Sequence, residues 1–149
     1  MNTTKHAAEI VFISKQMKKD IDFPIVTGIS IAIVKRDFPE ETQWVVYLLN
    51  QNDFDLENVL VCSKGYGLVE GEKRQSSTLR HGFPHIAANS FIPIEPISPE
   101  VFQLTNEYWL SYYVGQKLFD KKFIFVPDSI IDENLVKLPL LNETGILHV

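Results

Sequence analysis

Between residues 29 and 127, apolar residues come in runs of strand length, cut at intervals by glycine, proline and asparagine–aspartate clusters. This rhythm predicts an antiparallel, mostly β domain. In the first clear strand Ile29, Ile31 and Ile33 point one way, and the small set Gly28, Ser30, Ala32 and Val34 points the other. A face that small suits either close packing or an open surface. The next run, residues 43–50, is apolar on both sides, with Trp44, Val46 and Leu48 opposite Val45, Tyr47 and Leu49. A half-solvated strand would alternate, so this one is expected inside a sheet and covered on both faces. Residues 50–53 form a polar turn, and a strand around Val59, Leu60 and Val61 follows it closely, which predicts a hairpin between the two.

Residues 64–85 differ in kind. They hold Gly65, Gly67, Gly71 and Gly82 with few aliphatics, and read as loops and turns crossed by one polar strand near 75–81. Phe91-Ile92-Pro93-Ile94-Glu95-Pro96-Ile97 must be extended, and its prolines place it at a sheet edge. Ser98-Pro99-Glu100 is a helix-start signal. The aromatic and β-branched residues from Tyr108 to Val114 then favour a short helical turn near 99–104 followed by a strand. A helix through Leu118 is the alternative. Residues 120–122 are expected to turn into a last strand at 123–126. Residues 128–149 read as an irregular tail on the domain, and 1–22 as a helical or extended segment in which Ile10, Ile13 and Met17 keep helical spacing.

About seven strands at these spacings imply a single domain over residues 1–149. The expected fold is a two-sheet antiparallel sandwich, immunoglobulin-like in style, with short helical segments. The alternative is an α+β domain with a helix near 99–118 on one sheet face. With 149 residues and 45% hydrophobic residues, the chain can build a core without a disulfide or structural metal. A net charge of −5 argues against general nucleic-acid binding. The single Cys62 fits a reducing compartment and reads as a small core residue. Absence of a signal-peptide pattern and of any run near 18 apolar residues makes a cytoplasmic, non-membrane protein the expectation.

Candidate chemistry concentrates in 64–85. Lys64, Lys73, Arg74 and Arg80 outnumber Glu70 and Glu72 there, beside Tyr66 and Phe83. Such a stretch can hold a phosphate, a carboxylate or an acidic partner. His81 and His85 are four apart, but Gly82 and Pro84 oppose the helix that would put both imidazoles on one face, and no zincin His-Glu-x-x-His is present. No metal or cofactor is expected. Ser63-Lys64-Gly65-Tyr66-Gly67 has its lysine before the glycines and is a turn rather than a phosphate loop. Nucleophile-elbow, dinucleotide and paired-cysteine motifs are missing, and acids such as Glu95, Glu107 and Asp120 are scattered. In Tyr108-Trp109 and Tyr112-Tyr113, aromatics fall on both strand faces; core on both sides is expected, with a stacking platform on one as the alternative.

The phrases Asn58-Val59-Leu60-Val61-Cys62-Ser63-Lys64-Gly65-Tyr66-Gly67 and Asn106-Glu107-Tyr108-Trp109-Leu110-Ser111-Tyr112-Tyr113 resemble those of small uncharacterised bacterial proteins of similar length. The resemblance implies no activity. Two functions therefore stand as expectations. The first is a non-enzymatic cytoplasmic binding or adaptor domain, its partner itself or another protein. The second is a small enzyme or anionic-ligand-binding protein using Lys64, Tyr66, Arg80, His81 and His85.

Overall fold

The computed structural model describes residues 24–149. The expectations for residues 1–22 lie outside it. Ten strands form: β1 (Ile29–Asp37), β2 (Thr42–Asn50), β3 (Leu56–Val69), β4 (Glu72–Gln75), β5 (Leu79–Ile86), β6 (Ser90–Pro96), β7 (Thr105–Val114), β8 (Lys117–Phe125), β9 (Val136–Lys137) and β10 (Thr144–His148). One sheet has the order β6-β2-β1-β10-β9. In the other, β3 is flanked by β7 and then β8 on one side, and by β4 and β5 along successive parts of its other side. All pairings are antiparallel. The chain is a two-sheet β sandwich. No described helix is long and apolar enough to cross a membrane.

The period-two alternation explains the layers. Ile29, Ile31 and Ile33 of β1, with Trp44, Val46 and Leu48 of β2, meet Val59, Val61, Tyr108, Leu110, Tyr112 and Phe123 of the second sheet in the main core. The other face of β1 and β2 is buried too. Ala32, Val34, Tyr47 and Leu49 pack with Leu138, and with the half-buried Leu141, from the turn before β10. Arg36 fastens this turn. Its Nε and Nη2 donate to Glu143 at 2.9 Å each, and Nη2 also donates to the Tyr47 hydroxyl at 2.8 Å. The guanidinium holds the Glu143 carboxyl below its ordinary range.

Several expectations are corrected here. Residues 128–149 are not an irregular tail, since β10 runs between β1 and β9 and places Ile146 in the core. Gly145 permits this: a Cβ there would lie 2.4 Å from the Ile33 carbonyl oxygen. β2 and β3 do not form a hairpin but cross from one sheet to the other. The buried Asn50 amide donates to the Phe54 and Ala87 carbonyls and so turns the chain across. Residues 64–85 hold more strand than the one polar strand expected among loops, because β3 continues to Val69 and both β4 and β5 return alongside it. The β3–β4 turn is Glu70-Gly71, both at positive φ (52° and 81°), as a two-residue hairpin requires. Residues 120–122 lie inside β8, whose turn from β7 is Gly115-Gln116. The short helical turn expected near 99–104 is present as the 3-10 turn Pro99–Val101, with the strand β7 after it, and the alternative helix through Leu118 does not form.

Candidate functional site

The sandwich closes along a seam where β6, the edge of the first sheet, meets β5 of the second. The prolines of β6 suit that edge, and a bulge between Val46 and Tyr47 shifts its register so that Glu95 reaches across. The Glu95 side chain is 11% exposed. Ser63 donates to its Oε1 at 2.6 Å, and His81 Nε2 lies 2.8 Å from the same oxygen. Facing a carboxylate, that ring nitrogen must carry the proton. Tyr108 donates to Oε2 at 3.3 Å. Burial, and then the neighbouring Glu95, push the Tyr108 phenol far above its usual range. One carboxylate thus gathers donors from three strands of the opposite sheet. Beside it opens a cavity of about 180 Å³, lined by Gly65, Ser76, Leu79, Asn106 and Ile97 among others.

The outer face of the second sheet carries a different arrangement. The register sets residues in rows across β5, β3, β7 and β8. Arg80, Cys62, Trp109 and Lys122 form one row, and Gly82, Leu60, Ser111 and Asp120 the next. His85, Glu57, Tyr113 and Leu118 form the row beyond. Trp109 is 48% exposed, Leu60 40%, Tyr113 38% and Leu118 51%. Leu60 lies diagonally from both Trp109 and Tyr113, and Tyr113 pairs directly with Leu118, so the four make an apolar strip on an open sheet. Lys122 Nζ lies 4.9 Å from the Trp109 ring centroid. Glu107, one row from Trp109, is buried. It accepts from Tyr66 OH at 3.2 Å and lies 3.7 Å from both Lys64 and Lys122. Burial raises the Tyr66 phenol, and Glu107 adds to the effect.

Of the residues expected to share a site, Lys64, Tyr66, Arg80 and His85 lie along the outer face, and His81 alone turns away from it. Lys64 and Tyr66 gather at Glu107 on the outer face, and Arg80 stands in the Trp109 row. His81 turns inward to Glu95. His85 turns outward, its Nδ1 3.0 Å from Glu57 and its Nε2 3.6 Å from Asp55. A bulge at Asn58, with φ 48°, turns Glu57 to the outside. Asp55, Glu57 and His85 bring ligand-type atoms within 4.8 Å; Nδ1 is hydrogen-bonded to Glu57, whereas Nε2 and Asp55 stand at ion-pair distance without a hydrogen bond. The Glu57 hydrogen bond leads the causes that raise the His85 pKa. Because the folded value lies above the unfolded one, the stabilising contribution is complete below the unfolded pKa and is lost as pH rises through the folded one. Ring-proton NMR titration is expected to place His85 above an unperturbed histidine, and Glu57→Gln is expected to bring it down. A His85 titration unchanged by that substitution would remove the pair.

In the sequence Glu95 stands only as one of several scattered acids, and Trp109 only within the aromatic run 108–113, whose alternative reading, a platform on one face, matches the exposure of Trp109 and Tyr113. The available signal for Glu95 was an acid set alone between prolines in an otherwise apolar edge strand. For Trp109 it was strand alternation itself: Tyr108 and Tyr112 are 2% and 1% exposed, so the residues after each must face out. The expectation of core on both faces of this strand is corrected accordingly. No protein-family model matches the chain, and no curated protein matches its sequence.

Proposed function

We propose that the protein is a non-enzymatic binding domain that engages a protein partner through the outer face of β5, β3, β7 and β8. The carrying observation is Trp109, half exposed at the middle of an open four-stranded face and continuous with Leu60, Tyr113 and Leu118. Interfaces are enriched in such aromatics and in arginine, and a few central residues carry most of their energy. The charge around the tryptophan sets the partner's chemistry. Glu107 is shared between Lys64 and Lys122, and Arg80 forms no ion pair among the described residues. Close to Trp109 the cations Lys64, Arg80 and Lys122 outnumber the carboxylates of Glu107 and Asp120, so the fitting partner presents an apolar group flanked by acids. A second copy is the poorer occupant, because an isologous contact sets like-charged faces against each other.

Peptide display against the immobilised protein, run in parallel on Trp109→Ala, tests this. Selected sequences are expected to combine Asp or Glu with Leu, Phe or Trp. They are expected to lose roughly 30-fold in affinity on the variant, equivalent to about 2 kcal/mol for a central aromatic. Basic selected sequences, or binding indifferent to Trp109→Ala in a folded variant, would defeat the proposal.

A further inference from the structure

The geometry points to the cavity beside Glu95 as a binding site for a small organic cation, an amidinium or primary ammonium on a compact apolar body. This goes beyond the outer face, since the cavity opens on the other side of the second sheet. Three donors engage Glu95, and two of them share Oε1. Oε2 keeps only the long 3.3 Å contact from Tyr108. A carboxylate has about four acceptor sites, so at least one remains for a ligand.

Asn106 adds a second acceptor to the wall. Its Nδ2 donates to the carbonyls of Val101 and Leu104 at 2.9 and 3.2 Å, which fixes the orientation of the amide. Oδ1 is left on the Gly65 side and accepts nothing from the described residues; a Cβ on Gly65 would come within 3.1 Å of it. Gly65 is therefore the residue that keeps this acceptor open to the cavity.

Donors in the wall are already committed. Ser63 and Tyr108 spend their protons on Glu95, and Ser76 donates to the Ser77 carbonyl while accepting from Gly65 N–H. Among the described side-chain hydroxyls of the wall, those of Ser77 and Ser98 are left to donate. The Lys64 ammonium lies on the opposite face, 3.7 Å from Glu107 and 5.6 Å from the Tyr66 ring centroid. A buried carboxylate and an open amide oxygen favour a positively charged donor and disfavour an anion.

Leu79, Ile97 and Val101 supply the apolar wall. The volume, about 180 Å³, fits one ring, since a cavity of about 150 Å³ admits benzene. Benzamidine has both features and is the probe.

Calorimetric titration with benzamidine is expected to show one saturable site, with amide shifts in NMR centred on Gly65, Ser76 and Asn106. Benzoate and benzyl alcohol are expected not to bind. Glu95→Gln is expected to weaken benzamidine roughly tenfold or more. Should that variant fail to fold, Leu79→Lys decides the question. It sets an ammonium at the exposed rim without touching the Glu95 hydrogen bonds, and is expected to cut affinity by a similar factor. Absence of saturable binding, equal binding of benzoate, or affinity unchanged in a folded Glu95→Gln or Leu79→Lys protein would each overturn the assignment. None of these results bears on Trp109, so this inference and the proposed function fail separately.

Discussion

Gly145→Val is expected to destabilise the protein by about 3 kcal/mol or more, at the upper end of overpacking costs. The new Cβ would lie 2.4 Å from the Ile33 carbonyl oxygen and 2.9 Å from Leu138 Cδ1. A side chain can swing away, but a backbone carbonyl inside a paired strand cannot. Relief requires β10 to move off β1, breaking the ladder that runs from Ile31↔His148 to Val34↔Gly145. Ile146 would leave the core, and the turn carrying Leu138 would lose its seat on the outer face of the first sheet. Urea denaturation followed by far-ultraviolet circular dichroism measures the loss. Gly82→Ala is the control, since a Cβ there meets nothing within 4 Å and its backbone needs no positive φ. A Gly145→Val midpoint equal to the wild type would show that β10 does not lie against β1.

Glu95→Ala is expected to cost about 3 kcal/mol, the lower end of what breaking a buried pair from one side costs. The reason is the set of groups left behind rather than the bonds themselves. Tyr108 OH and Ser63 Oγ would remain between the sheets without an acceptor, and each stranded buried donor costs about 1–3 kcal/mol. His81 is partly exposed and can regain water, which limits its share. Glu95→Gln keeps one acceptor oxygen and is expected to lose less, and Ser63→Ala, which removes a donor and leaves the acceptor satisfied, is expected to lose least. The order Ala, Gln, then Ser63→Ala in falling cost distinguishes a carboxylate hub from simple seam packing. Equal effects of all three substitutions would mean that the seam is held by apolar contacts alone.

Local pattern reached far in some segments and failed in others for identifiable reasons. The double-sided apolarity of β2 showed an interior strand, because only a strand flanked and covered can bury Leu48 and Leu49 alike. The prolines of β6 showed an edge, because two missing N–H groups cannot serve an interior ladder. By contrast, the adjacency of β2 and β3 suggested a hairpin, and the buried amide of Asn50 sent the chain to the other sheet. The first half of β3 was legible around Val59 and Val61, but its continuation past Ser63 and the fully exposed β4 read as loops because too few apolar positions remain there to display the period. The C-terminal Gly145-Ile146-Leu147-His148 was too short to signal a strand by itself. It becomes one only because β1 offers an open ladder and Gly145 tolerates the approach.

The candidate sites follow the same division. Lys64, Tyr66, Arg80, His81 and His85 are near neighbours in sequence, yet a strand sends successive side chains to opposite faces. His81 therefore went to Glu95, Arg80 to the Trp109 face, and His85 past an irregularity to Glu57. Sequence proximity within a strand separates functional groups as readily as it joins them.

What the chain determined by itself is which segments extend and which residues share a face, since a side-chain period of two is a local property of the backbone. Which face met the other sheet, which strands became neighbours, and which distant residues joined Glu95 or surrounded Trp109 were decided only in the assembled sandwich. Those choices rest on pairing between strands remote in sequence and on burial shared by both sheets, and no single segment encodes either.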